Sequence, residues 1–347
     1  MDALIAALCA GETLREADFA RLVEGYTPEL AHRLAAEARK KRETVYGKAV
    51  YIRGLIEISN YCRNDCLYCG IRRSNKNCDR YRLTDADILA ACDEGYALGF
   101  RTFVLQGGED AAFTDARLIK LLQSIKAAHG DCAVTLSLGE RTRESYRLLR
   151  EAGADRYLLR HETADADHYG ALHPAEMSYE NRMRCLEDLK DLGYQVGCGF
   201  MVGSPYQTAA HLARDLAFIQ SFRPHMCGIG PFIPHKDTGF AHETRGTVEL
   251  TCYLLSIIRL IHPTVLLPAT TALGSIHPTG RELGIQSGAN VVMPNLSPPS
   301  VRKKYAIYDN KLSDGAESAQ SLAELKRRIS SAGYEVVTCR GDSIDAL

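Results

Sequence analysis

The chain has 347 residues, 46% of them hydrophobic and 24% charged, with a formal net charge of −1. This composition predicts a globular protein with a sizeable core, and the near-neutral charge disfavours a nucleic-acid partner. Because the N-terminal apolar run lacks a basic leader and no run approaches the roughly 18 apolar residues of a membrane span, we expect a cytoplasmic protein without a membrane partner.

The chain begins with a predicted helical extension over residues 1–46. Between residues 47 and 312, eight apolar or β-branched runs alternate with amphipathic helical segments, several of which end at a glycine. The eight runs are residues 50–59, 102–106, 133–138, 156–162, 195–202, 225–232, 264–271 and 290–295. Residues 313–347 follow, with a predicted closing helix and the short strand YEVVTC.

Strands that alternate with helices form parallel sheets with right-handed crossovers, and eight such units close a barrel. The pattern therefore predicts an α/β fold, a complete (β/α)8 TIM-type barrel with an N-terminal helical extension and a C-terminal helix and strand packed on it. An open six-strand barrel is the alternative, because the last two helices are weakly signalled.

Three of the twelve cysteines, Cys62, Cys66 and Cys69, lie in NYCRNDCLYCG directly after the first predicted strand. In a TIM barrel, catalytic groups gather at the C-terminal ends of the strands. Three thiolates on one turn fit an iron–sulfur cluster with one iron left open, or a catalytic zinc with an open position. The spacing favours the cluster, since zinc sites usually contain CxxC pairs. We expect Cys78, nine residues further on, to be a loop cysteine and not a fourth ligand.

CRNDCLYC resembles the CxxxCxΦC signature of radical S-adenosylmethionine (SAM) enzymes, in which Φ is aromatic and here is Tyr68. Further blocks resemble the HydE family of [FeFe]-hydrogenase maturases, among them LQGGED, RYLLRHET, GIGPFIPHKDT and LPATTALG. The resemblance implies that Cys62, Cys66 and Cys69 hold a [4Fe–4S] cluster whose open iron binds SAM. In that superfamily an electron from the cluster cleaves SAM and yields a 5′-deoxyadenosyl radical.

The resemblance also implies which residues meet the cofactor and the substrate. The implied SAM contacts are Tyr68, Gly107, Gly108, Glu109, Ser137, Glu162 and Arg182. The implied substrate contacts are Thr135, Arg160, Thr270 and Thr271, which would line the barrel with Ser137 and hold an anionic substrate. A structural origin is the alternative for two of these features: His161 could be a buried structural histidine, and Arg160 with Glu162 a structural ion pair.

Two departures from the family pattern bear on the site. Many relatives carry a C-terminal cysteine triad, but here residues 305–322 contain no cysteine and only Cys339 lies beyond them. We therefore predict no accessory cluster. The chain has LQGGED where the family often has LQSGED, so Gly107 removes one hydroxyl from the predicted SAM site.

The predicted function is that of a HydE-type enzyme. The resemblance implies a cysteine-bound Fe(CO)2CN-type substrate, converted towards the dinuclear iron subcluster. It also implies transient contact with an electron donor and other hydrogenase maturases. Two alternatives stay open: a related radical SAM enzyme acting on an amino acid, of the methylornithine synthase or biotin synthase kind, and an iron–sulfur carrier without catalysis.

Overall fold

The computed structural model describes residues 1–313 and 317–346, so the predicted C-terminal segment 313–347 lies partly outside the described residues. The helices are α1 (Asp2–Ala10), α2 (Glu16–Glu24), α3 (Pro28–Tyr46), α4 (Asp85–Ala97), α5 (Asp115–Ala128), α6 (Arg143–Glu151), α7 (Ala166–Leu172), α8 (Tyr179–Asp191), α9 (Ala209–Phe222), α10 (Val248–Ile261), α11 (Thr271–Ile276), α12 (Gly280–Gln286), α13 (Pro299–Arg302) and α14 (Leu322–Ser331). The strands are β1 (Ala49–Ile52), β2 (Gly54–Ser59), β3 (Thr102–Gly107), β4 (Ala133–Ser137), β5 (Arg156–Leu158), β6 (Gln195–Cys198), β7 (Met201–Val202), β8 (Met226–Cys227), β9 (Gly230–Pro231), β10 (Val291–Val292) and β11 (Glu335–Val337).

The strands form parallel sheets, as the alternation of strands and helices predicts. The largest has six strands in the order β2-β3-β4-β5-β6-β8, and smaller sheets have the orders β10-β1-β11 and β7-β9. Single parallel bridges continue the pairing at Met226↔Leu266, Pro268↔Val291 and Leu55↔Asn295. The predicted strand 264–271 is thus present as isolated bridges and not as a regular strand.

The predicted strand 50–59 is wrong in one respect, because it is divided at Arg53 into β1 and β2. Backbone hydrogen bonds to the 290–294 segment run on without interruption, from Tyr51 to Asn290, from Arg53 to Val292 and from Leu55 to Pro294. The strand that pairs on the opposite side changes at Arg53. β1 pairs with the C-terminal β11, whereas β2 pairs with β3.

The predicted strand 195–202 is divided in the same way, into β6 and β7. Gly199, between them, has a φ of +145°, and a Cβ there would lie 2.0 Å from the carbonyl oxygen of Gly228. Only glycine fits this close approach, so the break follows from backbone packing.

Helix boundaries follow from local chemistry. The hydroxyls of Thr84, Thr114 and Thr208 each accept a hydrogen bond from a backbone N–H in the first turn of the helix that follows. Gly99 and Gly153 follow helices with positive φ, as predicted. The helices pack outside the strands, and the N-terminal extension is part of this layer, because α2 packs on α9 and α3 on α10. Within the described residues, no helix is long and apolar enough to span a membrane.

Candidate active site

The cysteine loop follows β2 and is tied to three other segments of the chain. The backbone N–H groups of Arg63, Leu67 and Gly70 donate to the carbonyl oxygens of Glu109 at 3.0 Å, Leu172 at 3.0 Å and Ile307 at 2.9 Å, respectively. Such bonds fix the loop at the C-terminal end of β2, where the barrel rule places chemistry.

The three thiols of this loop are free and half-buried. Burial, and next the charge of the Cys62 thiolate, raises the pKa of Cys66 to about 12. Burial raises the pKa of Cys69 as well, followed by the charges of Cys66 and Cys62. The thiols therefore lie near enough to repel one another once ionised, which a bound cationic iron centre would relieve.

The donor set fits a cluster better than a single ion. In the described parts of the chain, no three His, Cys, Asp or Glu side chains are close enough to hold one metal ion. A four-iron cluster needs its three cysteine sulfurs on three separate irons, and the loop offers three thiols and no histidine. The chemistry of these donors therefore fits a [4Fe–4S] cluster.

Tyr68 is held by a histidine that the sequence analysis did not single out for the site. His173 Nδ1 donates to the carbonyl oxygen of Tyr169 at 2.9 Å, and His173 Nε2 lies 3.0 Å from the Tyr68 hydroxyl. Burial lowers the pKa of His173 to about 3. The ring is therefore neutral, and with its proton on Nδ1 it accepts the Tyr68 hydroxyl proton at Nε2.

The Gly107–Glu109 segment packs directly on the cysteine loop. A Cβ on Gly108 would lie 2.3 Å from the carbonyl oxygen of Tyr61 and 2.7 Å from Cys62 Cβ, so no side chain fits. The Glu109 carboxylate accepts hydrogen bonds from Arg63 Nε and from the backbone N–H of Glu140, both at 2.9 Å. The Glu109 side chain is thus engaged by the protein, and its carbonyl oxygen already accepts the Arg63 N–H, so its backbone N–H is the group left for a ligand.

Arg182 is nearly buried and is bound by a carboxylate that the sequence analysis missed. Its Nε donates to Glu140 Oε1 at 2.6 Å and its Nη1 to the carbonyl oxygen of Arg160 at 2.6 Å. Glu140 lies in the LSLGE block, directly after β4, and this strand-end position was the available signal. The pairing fixes the guanidinium plane relative to the neighbouring strand.

Arg160 and Glu162 come together, as the alternative of a structural ion pair predicts, with Arg160 Nε 3.7 Å from Glu162 Oε2. Both atoms are buried, and among residues 1–313 and 317–346 neither has a hydrogen-bond partner. The same holds, over the described residues, for Thr135 Oγ1 and Thr270 Oγ1. Buried polar atoms in native proteins are almost always hydrogen-bonded, so the Arg160, Glu162 and Thr270 atoms are candidate ligand contacts. Thr135 lies further back in β4, in register with Arg156.

Of the two remaining predicted contacts, Thr271 is hydrogen-bonded within the protein, whereas Ser137 is half-buried at a strand end. Thr271 Oγ1 donates to Glu317 Oε2 at 3.0 Å and is therefore used within the protein. Ser137 is half-buried at the end of β4, opposite Gln106 of β3. Gln106 Nε2 in turn lies 3.4 Å from the Tyr305 hydroxyl, so the 305–313 segment reaches this end of the sheet.

His161 is fully buried and has structural partners, in agreement with its structural reading. Its Nδ1 accepts a hydrogen bond from the backbone N–H of Gly199 at 3.2 Å, and its Nε2 lies 3.1 Å from Asp215 Oδ1. Because the acceptor Nδ1 carries no proton, Nε2 is the donor to Asp215.

The comparisons with known proteins show the family to which this chain belongs. Residues 56–219, from β2 to α9, match the sequence profile of the radical SAM superfamily. The [FeFe] hydrogenase maturase subunit HydE of Thermotoga maritima is 46% identical over 284 residues, which cover 82% of this chain and 80% of that protein. This chain belongs to the HydE family.

More distant relatives of this HydE-family chain share its fold. The 3-methylornithine synthase of Methanosarcina barkeri is 29% identical over 90% of this chain and 88% of its own length. The crystal structure of methylornithine synthase (PylB) superimposes with a TM-score of 0.84 at 27% identity, covering 96% of this chain and 97% of that one. HydG from Carboxydothermus hydrogenoformans matches with a TM-score of 0.79 at 20% identity, over 98% of this chain and 80% of that one, and so shows the fold alone.

Membership of the HydE family makes the chain a radical SAM enzyme, and it implies a [4Fe–4S] cluster and SAM. The alternative of an iron–sulfur carrier without catalysis is therefore wrong. Within this family frame, the matched residues 56–219 contain the three loop cysteines, Gly108, Glu162 and Arg182.

The sequence analysis also missed a buried ion pair in the HydE-family site. Lys311 Nζ lies 2.6 Å from Glu57 Oε1, Asn295 Nδ2 donates to Glu57 Oε2 at 2.9 Å, and the carboxylate is fully buried. Glu57 stands between Ile56 and Ile58 in β2, and an acidic residue inside an apolar strand was the available signal.

Beside this pair lies a cavity of about 940 Å³ between the 70–79, 235–237 and 299–313 segments. Cys78 lines it and is half-buried, with its sulfur 3.5 Å from Asn60 Nδ2. Cys339, the cysteine beyond the region of the family's accessory triad, is exposed.

Proposed function

We propose that this chain is a HydE-type maturase of [FeFe]-hydrogenase that acts on a small anionic iron complex. The observation that carries the proposal is the group of buried polar atoms on Thr135, Arg160, Glu162 and Thr270 that have no hydrogen-bond partner among the described residues. One guanidinium and two hydroxyls are donors suited to an anionic ligand, and burial strengthens their interaction with it.

The proposed scaffold is a complete (β/α)8 barrel over residues 47–312, with the extension 1–46 and the cap 313–347 packed outside. The six-stranded sheet and the bridges at Met226↔Leu266, Pro268↔Val291 and Leu55↔Asn295 support a ring of eight parallel segments. In such a ring the strand ends converge on one shared space, which brings residues distant in sequence together.

In the proposed site, Cys62, Cys66 and Cys69 hold the [4Fe–4S] cluster. The SAM contacts are Tyr68, the backbone of Gly107, Gly108 and Glu109, and the side chains of Ser137, Glu162 and Arg182. When bound, the cluster and SAM supply a 5′-deoxyadenosyl radical. The remaining part of the task falls to this chain's own residues, which position the reactants and keep water away from them.

Several contacts support these roles. The His173 acceptor orients the Tyr68 ring, and Glu140 orients Arg182. Thr135, Arg160 and Thr270 offer donors to the substrate, whereas Thr271 is bound to Glu317 and contributes through the position of its helix. Because these groups lie on three different segments of the proposed ring, substrate placement depends on more than one part of the scaffold.

We propose a cysteine-bound Fe(CO)2CN-type complex as the substrate and a precursor of the dinuclear iron subcluster as the product. The named activity of the Thermotoga maritima relative, a hydrogenase maturase subunit, supports this assignment. The proposed partners are a one-electron donor and, transiently, other hydrogenase maturases.

A second candidate is a radical SAM enzyme that acts on an amino acid. It is favoured by the 0.84 TM-score to methylornithine synthase over 96% of the chain. The same lining of a guanidinium, a carboxylate and hydroxyls also suits a zwitterion.

An in vitro maturation assay separates the two candidates. Anaerobically reconstituted protein should contain about four irons and four sulfides per chain, as one cluster requires. It should restore hydrogenase activity to a maturation extract that lacks HydE, and Thr135→Val together with Arg160→Met should not. Rearrangement of lysine without any restoration of hydrogenase would contradict the maturase assignment and favour the amino-acid enzyme.

A further inference from the structure

Glu162 has a backbone conformation that is disfavoured for any residue with a Cβ atom. Its φ is +65°, in the left-handed region. Such conformations persist only where the surroundings fix them, and they occur preferentially at ligand sites. The side chain of Glu162 is buried and, within the described part of the chain, its Oε2 accepts no hydrogen bond and lies 3.7 Å from Arg160 Nε, so the conformation directs a carboxylate that can still accept a hydrogen bond from a ligand.

The residues on both sides of Glu162 are tied to a single carboxylate on α9. Asp215 Oδ1 accepts the backbone N–H of Ala164 at 2.6 Å and the Nε2–H of His161 at 3.1 Å. One oxygen therefore fixes the chain immediately before and two residues after Glu162. We call this arrangement of Asp215, His161 and Ala164 the Asp215 clamp.

The opposite side of the corner is held by Gly199. Its carbonyl oxygen accepts the backbone N–H of Glu162 at 3.0 Å, and its own N–H donates to His161 Nδ1 at 3.2 Å. Gly199 cannot shift freely, because it packs directly against Gly228. The corner at Glu162 is thus enclosed between two rigid neighbours.

The Asp215 clamp includes a buried carboxylate that lowers stability, and packing alone does not explain why it is there. Asp215 is fully buried, and among the described residues its Oδ2 has no hydrogen-bond partner. Burying a carboxylate with one oxygen unpaired is unfavourable, and an apolar side chain at this buried position of α9 would not carry that penalty. We therefore look to function for the reason that a carboxylate is buried here, and in particular to the two hydrogen bonds that Oδ1 accepts.

We propose that Asp215 is a positioning residue for SAM binding. Through His161 and Ala164 it holds Glu162 in its left-handed conformation, so that the Glu162 carboxylate is presented to SAM. The inference rests on the SAM contact assigned to Glu162 in the proposed function, and it adds a residue that touches neither SAM nor substrate.

The test compares Asp215→Ala with Asp215→Asn in the reconstituted holoenzyme. Asparagine keeps an amide oxygen that accepts both bonds and places its NH2 where Oδ2 is already unpaired, whereas alanine removes both bonds. The readout is the Kd for SAM, obtained by titrating SAM against the paramagnetic spectrum of the reduced cluster. We expect about tenfold weaker binding for Asp215→Ala, as for the loss of one good hydrogen bond, and about wild-type binding for Asp215→Asn.

The iron content, measured on the same samples, separates positioning from loss of structure. Wild-type SAM affinity in iron-loaded Asp215→Ala would overturn the proposal, and so would an asparagine variant as weak as alanine. If Asp215→Ala does not fold, His161→Phe replaces it, because phenylalanine suits the surroundings formed by Phe200 and Phe218 but makes neither bond. Unchanged SAM affinity in that variant would equally refute the clamp.

Glu162→Gln distinguishes failure of the clamp from failure of the assigned SAM contact. The charge is lost but the corner is retained, so the assigned contact predicts weaker SAM binding. If Glu162→Gln binds SAM normally, the SAM role of Glu162 fails, whatever the clamp variants show. If Glu162→Gln is weak while Asp215→Ala is normal, the clamp alone fails.

Discussion

Two arginines four residues apart, Arg156 and Arg160, lie at the start of β5 and two residues beyond its end, and their side chains have different surroundings. Arg156, at the N-terminal end, is fully buried and donates to Thr102 Oγ1 at 3.0 Å, to Asp342 Oδ1 at 2.7 Å and to the carbonyl oxygen of Arg340 at 2.6 Å. Arg160, at the C-terminal end, has an Nε without a partner in the described residues, and its nearest carboxylate oxygen is 3.7 Å away.

The contrast separates stability from ligand binding along one strand. The C-terminal segment near β11 covers the Arg156 end and supplies Arg340 and Asp342 as partners. At the Arg160 end, Arg160 Nε and Glu162 Oε2 have no hydrogen-bond partner in the described residues, and we propose that a ligand binds there. In the proposed barrel, stability would then depend on the N-terminal face and chemistry on the other.

The largest expected effect is at the ligand end. Cys66→Ala should remove one of three cluster ligands, so that iron and sulfide per chain fall well below four and SAM cleavage falls to background. The free energy of unfolding of the iron-free chain should change little, since the alanine leaves only a small space at a half-buried loop position. Cys78→Ala is the matched control, and loss of the cluster in that variant would contradict the assignment of three ligands.

At the stability end, Arg156→Met should lower the free energy of unfolding by about 3 kcal/mol. The reason is that it removes a fully buried guanidinium and leaves part of a buried polar network without its donor. Urea unfolding of the iron-free chain measures the loss. SAM cleavage per folded, iron-loaded molecule should stay within about twofold of wild type, because no ligand contact is removed. A large loss of turnover at full iron content would contradict the proposal that the Arg156 end serves stability and not ligand binding.

Arg160→Met should show the reverse pattern. Maturation turnover should fall about 100-fold, as expected when a charged contact to an anionic substrate is lost. The free energy of unfolding should change by less than about 1 kcal/mol, because the guanidinium makes few bonds in the protein. Arg160→Lys should recover part of the activity but not all, since an ammonium group cannot make a paired contact. Destabilisation as large as in Arg156→Met would show that Arg160 is structural.

Whether a feature of the fold or the site could be predicted from the sequence depended on how far apart along the chain the interacting residues lie. The strands, their capped helices and the cysteine loop after β2 are local features, which is why their order along the chain was predicted. The predicted strands 50–59 and 195–202 are nevertheless divided, and 264–271 is present only as isolated bridges. The division of the first strand at Arg53 depends on β11, about 280 residues further along the chain. Asp215 and Glu140 were missed because their partners, His161 and Arg182, are 54 and 42 residues away. No local pattern records such pairings.

The smallest expected effect concerns a histidine at each end. His173 lies beside Tyr68 at the ligand end, and His262 follows α10 at the other, where its Nε2 lies 3.0 Å from the carbonyl oxygen of Pro224. Burial lowers the pKa of His173 to about 3 and that of His262 to about 4. Both rings therefore stay neutral in the folded chain at pH values where the unfolded chain already binds a proton.

Because the folded pKa values lie below the unfolded value of about 6.5, this stability is fully present above pH 6.5 and is lost as the pH falls towards 4. Between pH 6.5 and 5.5, each histidine should account for about 1 kcal/mol of the loss in the free energy of unfolding. His173→Phe and His262→Phe should each flatten the pH profile measured by urea unfolding. Only His173→Phe should also weaken SAM binding, because it alone removes the acceptor of the Tyr68 hydroxyl. Equal SAM affinity in both variants would mean that the Tyr68–His173 hydrogen bond serves stability. Residues beside the cysteine loop would then have the same structural role as those around Arg156.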